Sequence, residues 1–292
     1  ENPADSEADV LRARALLQDL DFLIVQDIFM TKTARYADVV LPASVGWVEA
    51  DGTVTSSERR VQRVRAALVP PKGARADHEI IGDLAMRLGA TWQAQTPEEL
   101  WDELRSISPM HAGMSYPRLE ENNGLQWPCP DLDHPGTPFL HGWLWEEDLL
   151  GHDPAPFSLT THEGPKETLS EEFPIRLTTG RVLDSYNTGV QSRAYKSPLR
   201  KGADLEISTV DALELGLQNG EEVLVSSPRG HVKMLVSIQK DQVKGLAFTT
   251  FHFPDLVDLN VLTNDQWDPL SGTAEFKAAA IRIEKLTGND RA

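Results

Sequence analysis

Apolar residues recur at helical spacing between Ser6 and Leu20, at Leu11, Leu16, Leu17 and Leu20, and the run Phe22-Leu23-Ile24-Val25 follows directly. Spacings of three and four mark one face of a helix, whereas a short unbroken apolar run marks a strand covered on both faces. The pair predicts a helix feeding a buried parallel strand. Polar residues from Gln26 to Thr31 end that strand. A short turn and helix follow, and then a second apolar strand from Asp38 to Leu41. A further helix is expected from about Asp77 to Leu88, with Ile80, Ile81, Leu84, Ala85 and Leu88 on one face and Gly89 as its stop. Thr96-Pro97-Glu98-Glu99 has the form of a capping box with proline at the first helical position, and the helix it opens carries Leu100, Trp101 and Leu104.

From Ser108 to Phe173 the periodicity fades and Pro, Gly, His and Trp accumulate, which predicts an irregular connector. After Pro174 the pattern changes to short strands, expected at Ile175 to Thr179, Asp204 to Ser208, Glu222 to Ser227, His231 to Ile238, Leu246 to Phe253 and Ala279 to Glu284. One short helix, Ser208 to Leu215, interrupts them, with Asp211 completing its cap and Gly216 ending it. The expected organisation is a partial α/β domain over 1–107, a connector over 108–173 and a small β-barrel over 174–292.

A net charge of -17 argues against nucleic acid or an anionic membrane surface as the main partner. No apolar run approaches membrane-spanning length and the N-terminus is not a signal peptide, so a cytoplasmic protein without a membrane span is expected. Glu1-Asn2-Pro3, with no Met, reads as the interior of a longer chain. Two islands depart from the acidic background. Arg59, Arg60, Arg63, Arg65, Lys72 and Arg75 lie in one stretch without a carboxylate; Arg176, Arg181, Arg193, Lys196, Arg200 and Lys201 lie in another with only Asp184. They suit either an anionic ligand such as phosphate or strand edges protected by charge.

The single Cys129 excludes an internal disulfide or a multi-thiolate metal site built from these residues alone, and between two prolines it lacks a basic neighbour in sequence to activate it. Gly-rich phosphate loops, His-Glu-x-x-His and Gly-x-Ser-x-Gly are absent from the sequence. The remaining candidates are binding elements. Asp27 and Thr31 stand at a strand's carboxyl end, where they either cap the following helix or face a ligand. Thr178-Thr179-Gly180-Arg181 runs into Ser185-Tyr186-Asn187-Thr188-Gly189. That loop offers a glycine for close approach, a planar donor fork and neutral hydrogen-bonding groups, or is a polar turn.

Several stretches in one order resemble a known family: Gln26 to Pro42, Asp51-Gly52-Thr53 with Glu58-Arg59-Arg60-Val61-Gln62, and Gln126-Trp127-Pro128-Cys129. Thr178 to Leu183, Asn260-Val261-Leu262-Thr263-Asn264, Asp268-Pro269 and Glu275-Phe276-Lys277 continue the match. The chain resembles the C-terminal portion of molybdenum or tungsten formate dehydrogenase catalytic subunits, in the bis-molybdopterin-guanine-dinucleotide oxidoreductase superfamily. The resemblance implies a partial Rossmann-like α/β domain followed by a C-terminal double-psi β-barrel. It assigns a guanosine end of the cofactor to Gln26, Asp27 and Thr31, with Asp77 nearby. The barrel's cofactor contacts would be Thr179, Gly180, Arg181, Val182 and Leu183, then Ser185, Tyr186, Asn187 and Thr188, and His252, Phe253, Asn260 and Lys277.

The sequence departs from the family where Ala50 replaces a lysine, and where Ser185-Tyr186-Asn187 stands in place of His-Trp/Tyr-His. The resemblance further implies that the metal ligand, the catalytic arginine and the cysteines of a 4Fe-4S cluster lie upstream, so the chain on its own holds cofactor without catalysing. Its implied partners are the cofactor, the N-terminal part of the same subunit and electron-transfer subunits. A nitrate reductase, or a non-catalytic respiratory-complex relative of the same fold, are the alternatives.

Overall fold

The structure, a computed structural model, describes residues 2–140, 157–183, 185, 187–188 and 202–286. The chain forms two compact units. One combines Glu1–Val25, Phe29–Val39 and His162–Ala292; the other combines Gln26–Ile28 with Val40–Thr161.

The first unit is built on a closed six-stranded barrel of β6 (Ile175–Gly180), β7 (Asp204–Ser208), β8 (Glu222–Ser226), β9 (His231–Gln239), β10 (Leu246–Thr250) and β11 (Ala279–Lys285). Around the barrel the order is β10, β6, β11, β8, β9, β7; β6 with β10 and β7 with β9 are parallel, and the other neighbours antiparallel. Period-two alternation produces the core. In β9, Val232, Met234 and Val236 are buried while His231, Lys233 and Leu235 face out. Leu177, Leu205, Ile207, Val223, Val225 and Ile281 complete the interior. Helix α6 (Thr209–Glu214) follows β7, with the Ser208 hydroxyl accepting from the Asp211 N–H at 3.0 Å and donating to the Asp211 carboxylate at 2.7 Å.

The N-terminal segment belongs to the same unit. A short turn of helix α1 (Pro3–Ser6) precedes α2 (Val10–Gln18), whose Val10 enters the barrel core. The Asn2 side-chain oxygen accepts from the Thr33 N–H at 3.1 Å and hydroxyl at 2.6 Å, and the Lys32 ammonium meets the buried Asp5 carboxylate at 2.6 Å. The expected single helix from Ser6 to Leu20 is thus shorter, because Asp9 at φ +48° turns the chain and caps α2. Its apolar stripe is open: Leu16 and Leu20 are exposed and line a groove with Pro3, Ala8, Ala13 and Leu17.

The strand expected at Phe22 to Val25 is β1 (Ile24–Asp27), and among the described residues it pairs only with β2 (Val39–Pro42). It is not the fully buried strand its composition suggests. Phe22 is 61% exposed, since a two-stranded ribbon leaves most of its surface uncovered.

The second unit carries a three-stranded sheet of β3 (Gly52–Thr55), β4 (Arg60–Val64) and β5 (Leu125–Gln126), with helices α3 (Asp77–Arg87), α4 (Pro97–Ile107) and α5 (Tyr116–Glu121). The capping box at Thr96 and Glu99 forms as expected. The stretch from 108 onward is more ordered than its composition implies. Its α5 and β5 supply Tyr116, Leu119 and Leu125, which with Cys129 pack around Val61, Met114 and Trp101. Six helical and two strand residues are too few to register as a period. Trp101 donates through its indole N–H to the Met114 carbonyl at 2.6 Å. Among the described residues no helix is long and apolar enough to cross a membrane.

Candidate cofactor site at the barrel edge

Strands β6 and β10 run parallel in register, Thr179 opposite Thr249 and Gly180 opposite Thr250, so both end at one edge of the barrel. Beyond that edge the backbone loses its ladder partners and must find others. The loops that leave it carry Arg181 to Thr188 on one side and Phe251 to Asn260 on the other. Most of the barrel residues proposed from the sequence therefore converge.

Gly180 is required by packing: a Cβ there would lie 2.8 Å from the Phe248 ring. The Thr179 hydroxyl donates to the Phe276 carbonyl at 2.9 Å, and the Lys277 ammonium donates to the Thr179 carbonyl, which ties β6 to the segment before β11. His252 is fully buried. Its Nε2 accepts from the Val182 N–H at 3.0 Å, so the ring proton sits on Nδ1 and donates to the Asn187 carbonyl. Asn187 has φ +44°, a left-handed conformation that asparagine tolerates, and its side-chain oxygen accepts from Arg181 Nε at 2.8 Å. The Arg181 guanidinium lies over the Phe251 ring, 5.8 Å from its centre. Among the described residues no acceptor meets its two Nη groups.

Other proposed residues occupy quieter positions. Val182 accepts from the Ser185 N–H at 3.2 Å, closing the turn, and Leu183 is fully exposed. Thr188 is half-buried and Phe253 belongs to the barrel core. Asn260 is buried and donates to the Asp5 carbonyl at 2.8 Å, clasping the N-terminal turn. Tyr186 lies outside the described residues, as do Arg193, Lys196, Arg200 and Lys201 of the second basic island. The sequence does not single out Phe251, Thr249 and Thr250, because strand-end aromatics and threonines carry no distinctive signal.

The residues expected near the guanosine divide between the units. In one, the Gln26 amide donates to the Asp77 carboxylate, and the Asp27 carbonyl accepts from the Ala43 N–H at 3.2 Å. Thr31 belongs to the other, where its buried hydroxyl accepts from the Ala34 N–H at 3.1 Å and caps the short 3-10 turn Thr33–Tyr36. Much of the first basic island is paired locally. Arg59 donates to the Thr137 and Pro138 carbonyls, Arg60 meets Glu58, Arg63 and Arg65 share Glu120, and Arg75 meets Asp83. Hydrogen bonds from Arg75 and then Arg87 hold the Asp83 carboxyl below its usual range. At Glu120 burial pushes upward, and the hydrogen bonds from Arg65 and Arg63 outweigh it.

Residues 1–87 match the family described as molybdopterin oxidoreductase, and residues 175–280 match the molydopterin dinucleotide binding domain. Two family models drawn from molybdopterin oxidoreductases thus match the chain, one at each end. It is 42% identical to the F420-dependent formate dehydrogenase 2 subunit alpha of Methanococcus maripaludis, over 98% of this chain and 42% of that protein. It is 34% identical to the assimilatory nitrate reductase catalytic subunit of Bacillus subtilis, over 97% of the chain and 41% of that protein. In fold it is similar to acetylene hydratase from Pelobacter acetylenicus, with a TM-score of 0.68, 20% identity, and coverage of 98% of this chain and 43% of that one. The chain thus spans under half the length of these relatives.

The barrel edge suits the dinucleotide that the matching domain's description names. Among the described residues the two Nη groups of this planar fork meet no acceptor, which suits a pyrophosphate, and the buried Thr249 and Thr250 hydroxyls at the end of β10 have no partner.

Proposed function

We propose that this chain is the cofactor-holding part of a molybdenum- or tungsten-dependent formate dehydrogenase catalytic subunit. The observation that carries the reading is Arg181, held through Nε and Phe251, with terminal donors that meet no acceptor among the described residues, at the strand ends of a barrel matched by a dinucleotide-binding family. The parallel pairs β6 with β10 and β7 with β9 suit a double-psi barrel, and β1, β2 and α3 suit part of a Rossmann-like domain.

In this reading Arg181, with Thr179, Gly180, Val182, Ser185, Thr188 and Lys277 around it, holds one bis-molybdopterin-guanine-dinucleotide arm, while Gln26, Asp27 and Asp77 serve a guanosine end. When bound, such a cofactor supplies a metal that accepts the two electrons of formate oxidation. The chain's own residues bind and orient it. The metal ligand, a 4Fe-4S cluster and contacts to electron-transfer subunits fall to the remainder of a longer cytoplasmic protein, and the open groove beside α2 suits cover by that remainder.

The test is metal analysis with formate-dependent dye reduction on the full-length protein. Molybdenum or tungsten with formate activity is expected; absence of both metals sinks the reading. The 34% identity to a nitrate reductase supports a second reading, which nitrate-dependent oxidation of reduced viologen without formate activity would favour.

A further inference from the structure

The structure assigns Asn187 and His252 as positioning residues that aim the Arg181 guanidinium at an anionic oxygen pair of the dinucleotide, rather than as residues that touch it. The inference rests on the reading above and deepens it. Three contacts form one connected chain. Arg181 Nε donates to the Asn187 side-chain oxygen at 2.8 Å; because the donor is an N–H, the oxygen end of the amide must face it. The Asn187 carbonyl accepts from His252 Nδ1, and His252 Nε2 accepts from the Val182 N–H at 3.0 Å. Both ring nitrogens of a fully buried histidine are thus committed to the backbone of the loop that carries Arg181.

The imidazole has no atom left to offer a ligand, and its neutral Nδ1–H form is fixed by its two partners. Asn187 is suited to its position on two counts: its left-handed backbone, φ +44°, and a neutral acceptor at the right reach. Using Nε for orientation leaves the parallel pair of Nη donors for the ligand, and the Phe251 face limits rotation of the guanidinium plane. A flexible arginine would have to order itself on binding; this one is ordered beforehand. Asn187 stands where the resembling family has a histidine, so here the positioning acceptor carries no ionisable group.

The test uses the full-length holoenzyme and measures guanine dinucleotide retained per chain after dialysis, alongside the melting temperature. Asn187→Gly keeps the left-handed backbone but removes the acceptor. Asn187→Gly is expected to speed dinucleotide loss about ten-fold, the usual scale for a hydrogen bond to a charged group, at unchanged melting temperature. Arg181→Lys, which cannot be held through Nε, is expected to match Asn187→Gly, and the double variant to be no worse than either. His252→Gln is expected to weaken retention in the same direction.

Full retention in Asn187→Gly, or additive effects of Asn187→Gly and Arg181→Lys, would each overturn the inference while leaving the proposed function standing. A wild-type protein that contains no guanine dinucleotide would overturn both.

Discussion

The barrel edge and the sheet of the other unit both concentrate arginines, and they use them in opposite ways. Arg60, Arg63, Arg65 and Arg75 each meet a carboxylate, and Arg59 is absorbed by backbone carbonyls. Arg181 meets a neutral amide and an aromatic face, which orient it without cancelling its charge. A run of basic residues therefore says little about anion binding until its partners are known. What marks the barrel edge is Arg181, whose four Nη donors meet no acceptor among the described residues.

The largest expected effect breaks the paired region from below. Arg63 lies over the Tyr116 ring, 3.2 Å from its centre, and that ring belongs to the core around Trp101. Trp101→Ala removes the buried indole and its bond to Met114, and is expected to cost about 3–5 kcal/mol in chemical denaturation. A loss under about 1 kcal/mol would mean that this core does not hold the sheet.

A paired arginine inside the barrel unit sharpens the contrast next. Arg229 makes a bidentate contact with Glu167 at 2.7 and 2.9 Å, both mostly buried, and the Ala280 N–H also donates to that carboxylate at 2.9 Å. Glu167→Gln leaves a buried cation short of its counterion and is expected to cost about 3 kcal/mol of stability. Retention of the dinucleotide by the folded fraction should not change, because Arg229 is structural and Arg181 is not.

A smaller effect lies at the start of α4. Thr96→Ala removes a cap worth about 1 kcal/mol. The Thr96 backbone N–H and then its hydroxyl donate to Glu99 and hold its carboxyl below the ordinary value of 4.5. Because the folded form is the one with the depressed pKa, this contribution is complete above the unfolded value and fades as pH falls through the folded one. The gap between thermal melts of the wild type and Thr96→Ala should therefore narrow in acid without closing, since the Glu99 N–H bond to the Thr96 hydroxyl does not titrate; a gap that widens there would contradict the cap. The smallest effect is expected at exposed Glu120, where Glu120→Gln should leave both melting temperature and dinucleotide retention within error.

The sequence makes some of this legible and hides the rest for identifiable reasons. Six barrel strands follow from two-residue alternation and from turn residues such as Gly216 and Gly220, both at positive φ. Arg181 and its loop stand out because a glycine and an arginine at a strand's end are chemically unusual. The structural use of Asn260 is hidden, since its partner, Asp5, lies 255 positions away. So is the role of Thr31, where capping and ligand contact demand the same hydroxyl. The pairing within the first basic island depends on Glu120 and Asp83, and no spacing rule links Glu120 to Arg63.

The most direct test of the contrast compares one arginine from each region in the full-length protein. Guanine dinucleotide per chain would be measured in Arg181→Ala and Arg65→Ala. The account predicts a loss of about ten-fold or more in Arg181→Ala and wild-type content in Arg65→Ala. Equal content in the two variants would contradict it.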